Sequence, residues 1–258
     1  MSKAAMGIKR VVADYAEALT GTRIMLPEQV GLIFEEEHLR RFFAHFRIDC
    51  VFDVGANAGQ YGEMLRKRIN YTGPIISFEP IPELAAFLRA KAADTSNWFI
   101  EETALDSSVR PASFNVMNGD QFSSLREPFH GEVDLFEHAN SIARKIEVTT
   151  STLDLHYHKY KKKLAFRRPY LKLDTQGNDV AVVSGAGDIV REFAGLQSEL
   201  AVHKLYDGAD DFESALQFYR SKGFELSAFV PNNAGHFPML LEIDCIMYRK
   251  ALLQPSPE

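Results

Sequence analysis

Two cysteines in 258 residues, Cys50 and Cys245, are too few for a disulfide framework or a cysteine-rich zinc site. No apolar run approaches the roughly 18 residues of a membrane span, and the opening MSKAAMGIKR has no apolar signal core. A basic surplus is also missing. Lys+Arg number 29 against 35 Asp+Glu, a net charge of −6, which argues against a dedicated nucleic-acid binder. Internal repeats and low-complexity segments are absent too. These absences lead to the expectation of a protein without a membrane span, working in a reducing cytoplasm.

What is present is ordinary globular material: 46% hydrophobic and 25% charged residues, enough for a full core and too balanced for disorder. At about 100–200 residues per domain, the length fits one large domain or two small ones.

The first 46 residues read as helical. Ile8, Val11, Val12, Tyr15 and Leu19 recur at helical spacing up to Thr20-Gly21. After Pro27, Val30, Ile33, Phe34, Phe42, Phe43 and Phe46 mark a second amphipathic stretch. They are read as a structural cap on a sheet in preference to a wall of a substrate cleft. From residue 50, short apolar runs alternate with helical patterns, as in a βαβ series. Strands are expected at Cys50–Val54, Pro74–Phe78, Trp98–Ile100, 169–173 and Leu196–Val202, with helices at 59–69, 82–92, from Asp179, and at Asp211–Lys222. The rhythm breaks between 105 and 168, apart from strands at Ala112–Met117 and Ile146–Thr150. Phe224–Val230 and Leu241–Tyr248 then close the chain as an antiparallel hairpin with a long loop. The expected division is a helical extension over 1–47 and one α/β domain over 48–258.

The informative segment is Val51–Gln60, VFDVGANAGQ, in which a buried strand runs into a glycine turn and a helix begins at once. Gly55 lets the backbone turn, and Gly59 allows close approach of helix, strand and ligand. The dinucleotide fingerprint G-x-G-x-x-G fails, because Asn57 and Gln60 stand in its second and third places. Asp53 at the same edge would repel a pyrophosphate and suits a ligand with a cationic end, such as S-adenosylmethionine. Glu79 ends the next strand, 24 residues after Gly55, where an acid can accept both hydroxyls of a ribose. Its bland alternative is an acid favoured by the helix that starts at Pro82.

Asp53–Gln60 (DVGANAGQ), Ser77–Pro80 (SFEP), Lys172–Gly177 (KLDTQG) and Leu200–Gly208 (LAVHKLYDG) together resemble the FkbM-type S-adenosylmethionine-dependent methyltransferases, over about residues 48–250. The resemblance implies a class I methyltransferase fold, a Rossmann-like doubly wound sheet of seven strands whose last two form the antiparallel hairpin. It also implies S-adenosylmethionine as cofactor and methylation of a hydroxyl on a sugar or secondary metabolite. By the same resemblance Thr103 and Ala104 neighbour the adenine, and Ser123 or Ser124 lies near the cofactor, where a serine hydroxyl could bond its carboxylate; a polar surface loop is the other reading of Ser123. One departure stands out: Thr175-Gln176 replaces the family's commoner hydrophobic residue and Glu.

Asp174, at the end of its strand, is the leading candidate to take the acceptor's proton; capping the next helix is its plainer role. Glu199 and His203 share a strand face by spacing, since residues two apart point together. They form either a proton-handling cluster with Asp174 or an ordinary salt-bridged acid and a surface histidine. No third ligand appears for a metal at Asp174 and Glu199, so none is expected. The basic cluster from His156 to Arg168 reads as a solvated loop; its alternative is a patch for an anionic acceptor. The acceptor pocket is expected from the N-terminal helices, the 105–168 insertion and the 231–238 loop. Three rivals follow: an RNA methyltransferase using the 156–168 loop, a NAD-dependent oxidoreductase, and a non-catalytic cofactor-binding partner. Nucleic acid is the less expected partner, and a small-molecule or glycan hydroxyl, with or without negative charge, the more expected one.

Overall fold

The computed structural model describes residues 30–253 apart from 96, 134 and 232–237. The predicted helix over Ile8–Leu19, Pro27 and most of the loop before the last strand lie outside the described residues.

The strands, in chain order, are β1 (Cys50–Val54), β2 (Ile75–Phe78), β3 (Trp98–Glu101), β4 (Pro111–Met117), β5 (Ile142–Thr149), β6 (Pro169–Leu173), β7 (Gly195–Ala201), β8 (Phe224–Pro231) and β9 (Glu242–Arg249). The helices are α1 (Val30–Phe46), α2 (Gln60–Lys67), α3 (Pro82–Ala92), α4 (Leu153–Leu164), α5 (Asp179–Ser184) and α6 (Phe212–Ser221). Seven strands form one sheet in the order β3-β2-β1-β6-β7-β9-β8. Neighbours from β3 to β7 are parallel, and β9 runs antiparallel between β7 and β8. This is the seven-stranded class I methyltransferase sheet that the motifs imply, closed by its antiparallel hairpin.

Both faces of the sheet are covered, which is why β1 and β6 are apolar at nearly every position. On one face, Phe52, Val54, Leu171 and Leu173 meet Leu153 and Tyr157 of α4, Val182 of α5 and Tyr219 of α6. On the other, Val51, Ile75 and Tyr170 meet Leu39, Phe42 and Phe43 of α1, Leu65 of α2 and Leu88 of α3. Phe42 and Phe43 set their rings 5.4 and 5.0 Å from that of Tyr170, and burying each contributes about 1.5–3 kcal/mol. Its C-terminal half therefore acts as the cap that was expected. Its first turns do something else, described below.

Two sequence expectations change. Residues 156–163 are not a loop: they lie in α4, capped by Thr152, whose hydroxyl accepts from Leu155 N at 3.5 Å. Leu153, His156, Tyr157 and Tyr160 are its buried stripe, and the helical spacing was legible behind the lysines. Second, β4 and β5 extend beyond the expected runs and pair with each other in a separate two-stranded sheet. Among the described residues no helix is long and apolar enough to cross a membrane.

Candidate active site

A cavity of about 410 Å³ opens at the carboxyl ends of β1, β2, β6 and β7, where open α/β sheets hold ligands. The turn after β1 builds its floor. Gly55 has φ +79°, and a Cβ there would lie 1.8 Å from the backbone oxygen of Asp174, so only glycine lets β1 turn against the end of β6. Asn57 follows at φ +47°, a left-handed conformation that asparagine tolerates best among residues with a side chain. Gly59 (φ +82°) does not line the cavity; a Cβ there would meet Leu88 and Trp98, so its close approach is between helix and sheet rather than to a ligand.

One end of the cavity is organised around Glu79. Its oxygens accept the backbone N–H of Asn57 at 2.8 Å and of Ile81 at 2.9 Å, each with acceptor capacity left over, and Glu79 lines the cavity. The apolar walls here are Ile81, Ala104, Leu105, Phe114 and Leu125, with Thr103, Asp120 and Ser123 at the polar edge. Burial pushes the Glu79 carboxyl up to about 7, against the two amide hydrogen bonds. The serine pair divides its work. Ser123 lines the cavity and accepts from Met117 N, whereas Ser124 is buried and donates to the Gln176 carbonyl at 2.7 Å, tying the β4–β5 insertion to the end of β6.

The other end holds Asp174, Gln176 and Glu199. Asp174 accepts from Lys172 Nζ at 2.7 Å and from Gln176 Nε2 at 2.8 Å. The same Gln176 amide reaches Glu199 at 2.8 Å, and its carbonyl oxygen lies 2.8 Å from the Tyr206 hydroxyl. The glutamine thus joins two carboxylates that a glutamate in its place would repel. Sequence reading missed two further acids. Glu35, from the first turns of α1, accepts from Gln197 Nε2 at 2.7 Å, and Asp244 faces Glu199 because β9 inserts beside β7. Amphipathic spacing hinted at Glu35 only as a polar position, and nothing in the chain order placed Asp244. Burial, with neighbouring acids adding to it, drives Glu35 and Glu199 above the ordinary carboxylate range and Asp244 to about 8.

Two expected site residues, Asp53 and His203, fall elsewhere. Asp53 is fully buried beneath the cavity rather than at its edge, accepting from Ser77 Oγ at 2.8 Å. His203 does not join Glu199: β7 ends at Ala201, the two-residue alternation stops there, and the His203 ring lies 3.8 Å from Glu132 at the surface. The basic cluster is spread along α4: Lys159 pairs with Glu101 at the end of β3, and the arginines sit at the opposite edge of the sheet. Arg167 and Arg168 donate their backbone N–H to Asp49, just before β1, and the Lys161 Nζ donates to the Phe166 carbonyl. Of the described residues, Lys172 is the one cation lining the cavity, and Asp174 engages it. Cys50 and Cys245 are buried thiols in β1 and β9, as apolar residues would be.

The buried acids give an unusual stability profile. A carboxyl whose pKa is raised on folding binds its proton more tightly in the folded chain, so unfolding becomes easier as pH climbs from the unfolded value through the folded one. With Glu79 and Glu242 at about 7 and Asp244 at about 8, stability is expected to fall between pH 5 and 8. Urea unfolding at both pH values checks this; a midpoint that rises with pH contradicts it.

Comparison with known proteins gives one family. The model described as the methyltransferase FkbM domain matches residues 53–226. None of the curated proteins matches. Solved structures similar to the chain include magnesium protoporphyrin IX methyltransferase from Synechocystis PCC 6803 with bound S-adenosylmethionine, at 10% identity and TM-score 0.43 over 93% of this chain and 96% of that one. Aeropyrum pernix fibrillarin with natively bound S-adenosyl-L-methionine is 13% identical, at TM-score 0.42 over 93% of this chain and 74% of that one. A putative rRNA methylase from Clostridium thermocellum is 11% identical, at TM-score 0.43 over 85% of this chain and 95% of that one.

Proposed function

Because the chain belongs to the FkbM family of S-adenosylmethionine-dependent methyltransferases, we propose that it methylates the hydroxyl oxygen of a small, non-anionic acceptor such as a sugar or secondary metabolite. The observation that carries this reading is the row of carboxyl groups on the cavity wall: Glu35, Glu79, Asp120, Asp174, Glu199 and Asp244 against Lys172 as the one cation among the described residues. Such a wall suits a cofactor whose reactive centre is a cation. The fit holds at both ends. Glu79 offers two oxygens for the ribose hydroxyls between apolar walls sized for a planar base, and the turn Gly55–Asn57 leads from it to Asp174. Gly55, Asn57, Gln60, Glu79, Thr103, Ala104 and Ser123 are the cavity residues assigned to hold it.

When bound, S-adenosylmethionine supplies an electrophilic methyl on a good leaving group. The chain's own residues then have two tasks. Alignment of the acceptor oxygen falls to the walls of the acidic end, where Glu35, Gln197 and Tyr61 are joined by hydrogen bonds of 2.7 and 3.1 Å. Removal of the hydroxyl proton falls to Asp174, whose carboxylate is held by Lys172 and Gln176. Glu199, whose carboxyl burial and neighbouring acids push up, is assigned as a hydrogen-bond partner for the acceptor and not its base.

Isothermal calorimetry with S-adenosylmethionine, its demethylated product and NAD tests the assignment. Heat is expected with the first two and none with NAD; silence with both would end it. Glu79 adds a pH signature. Ribose hydroxyls donate to its ionised form, so affinity is expected to rise with pH up to about 7 and level off above it, with proton release on binding. Glu79→Gln is expected to flatten that profile.

A further inference from the structure

We propose that Lys172 is a positioning residue: through its one hydrogen bond it selects Asp174, among the carboxylates of the cleft, as the one that receives the acceptor's proton. The role of Asp174 rests on the methyltransferase reading above; the selection itself rests on the geometry of a buried row.

The register aligns Ser77, Asp53, Lys172 and Gln197 side by side across β2, β1, β6 and β7. All four are buried. Hydrogen bonds run along the row from its outer end: Trp98 Nε1 donates to Ser77 Oγ at 3.0 Å, and Ser77 Oγ to Asp53 Oδ2 at 2.8 Å. Asp53 Oδ1 is buried and makes no hydrogen bond; Lys172 stands beside it in the register. Lys172 Nζ then donates to Asp174 Oδ2, one pleat nearer the cavity. Asp53 thereby has a task that its sequence position did not suggest. It stands behind the lysine, held by Ser77 and pushed up by burial, and it leaves the ammonium's hydrogen bond to Asp174.

Every element around Lys172 presents a titratable group: Asp53 from β1, Glu35 from α1, Tyr61 from α2, Glu199 from β7, Asp244 from β9, and Asp174 from its own strand. Burial works against the lysine charge, and the carboxylates, Asp174 first and Asp53 next, outweigh it, so its pKa is pushed up. One ammonium serves several acids, and its hydrogen bond goes to one of them. The others, desolvated and crowded, are pushed toward the protonated form. Environments that separate neighbouring acids in this way assign base and acid roles.

The test uses the full chain with ¹³C-carboxyl aspartate, the Asp174 resonance being identified by its loss in Asp174→Asn. In Lys172→Met this resonance is expected to titrate about 1–3 pH units above the parent, the range set by removing an adjacent opposite charge. Lys172→Arg keeps the charge and is expected to restore most of the difference. An unchanged Asp174 titration in Lys172→Met, or an arginine variant that behaves like methionine, overturns the proposal. If Lys172→Met fails to fold by circular dichroism, Lys172→Gln is read in its place; if neither folds, the lysine is structural and the proposal falls. S-adenosylmethionine calorimetry on the parent is scored separately. Its failure removes the methyltransferase reading and leaves the carboxyl titration to decide the selection by Lys172.

Discussion

Gly55→Ala is expected to abolish S-adenosylmethionine binding and to cost the fold at least about 3 kcal/mol. Two effects add. The residue sits at φ +79°, where a side chain costs about 1–2 kcal/mol. Its Cβ would also lie 1.8 Å from the Asp174 carbonyl oxygen and 2.7 Å from that carbonyl's carbon, so the clash is with backbone, not with a side chain that can rotate away. Overpacking costs typically about 1–3 kcal/mol even when side chains yield. Relief requires parting the ends of β1 and β6, which Asp174 N to Val54 O holds at 3.0 Å. Displacing that junction moves Asp174 and the Glu79-bonded amide of Asn57 together. Gly187→Ala is the control: its φ is +55°, yet nothing lies within 4 Å of a Cβ there, so only the conformational cost of about 1–2 kcal/mol is expected, with binding unchanged. Urea unfolding and calorimetry on both variants measure the difference. Parent-like binding in Gly55→Ala would show that the turn is not the cofactor's floor.

Asp174→Asn is expected to lower turnover about 10²–10⁴-fold, the usual worth of a positioned general base, with S-adenosylmethionine affinity nearly unchanged. Asparagine keeps the shape and an acceptor oxygen for Lys172 or Gln176, so the loss isolates the proton-accepting charge. Glu199→Gln is the informative partner. Burial pushes the Glu199 carboxyl up toward its neutral form, so its amide replacement is expected to cost less than about 10-fold. His203→Ala, at the surface beside Glu132, is expected to leave turnover unchanged. Product formation with an acceptor found by screening neutral polyols and aminosugars reads all three. Full turnover in Asp174→Asn would transfer the base role to another acid, and a large loss in Glu199→Gln would name which.

Much of this site was legible because its signals are local. The run from Val51 to Gln60 encodes strand, turn and helix within ten positions, and the acid at Glu79 follows from one βα unit. Asp174 was found by the same logic, as the polar end of a buried strand. The misreadings have local causes as well. His203 was placed by continuing a two-residue alternation past Ala201, where the strand had ended. The lysines of α4 masked a helical stripe of Leu153, His156, Tyr157 and Tyr160.

The sequence by itself determined the order of the strands and of every described helix but α4, the glycine turn, the acid Glu79 at the end of β2 and the family. Those features depend on backbone periodicity and on φ values that only certain residues adopt. Tertiary structure alone decided which charges meet. It set Asp53 under the cavity beside Lys172, turned the first turns of α1 inward to deliver Glu35, and slid β9 between β7 and β8 so that Asp244 faces Glu199. It also carried the basic end of α4 to the far edge of the sheet. Register across a sheet is fixed by hydrogen bonding and burial between segments distant in the chain, and spacing along one segment does not record it.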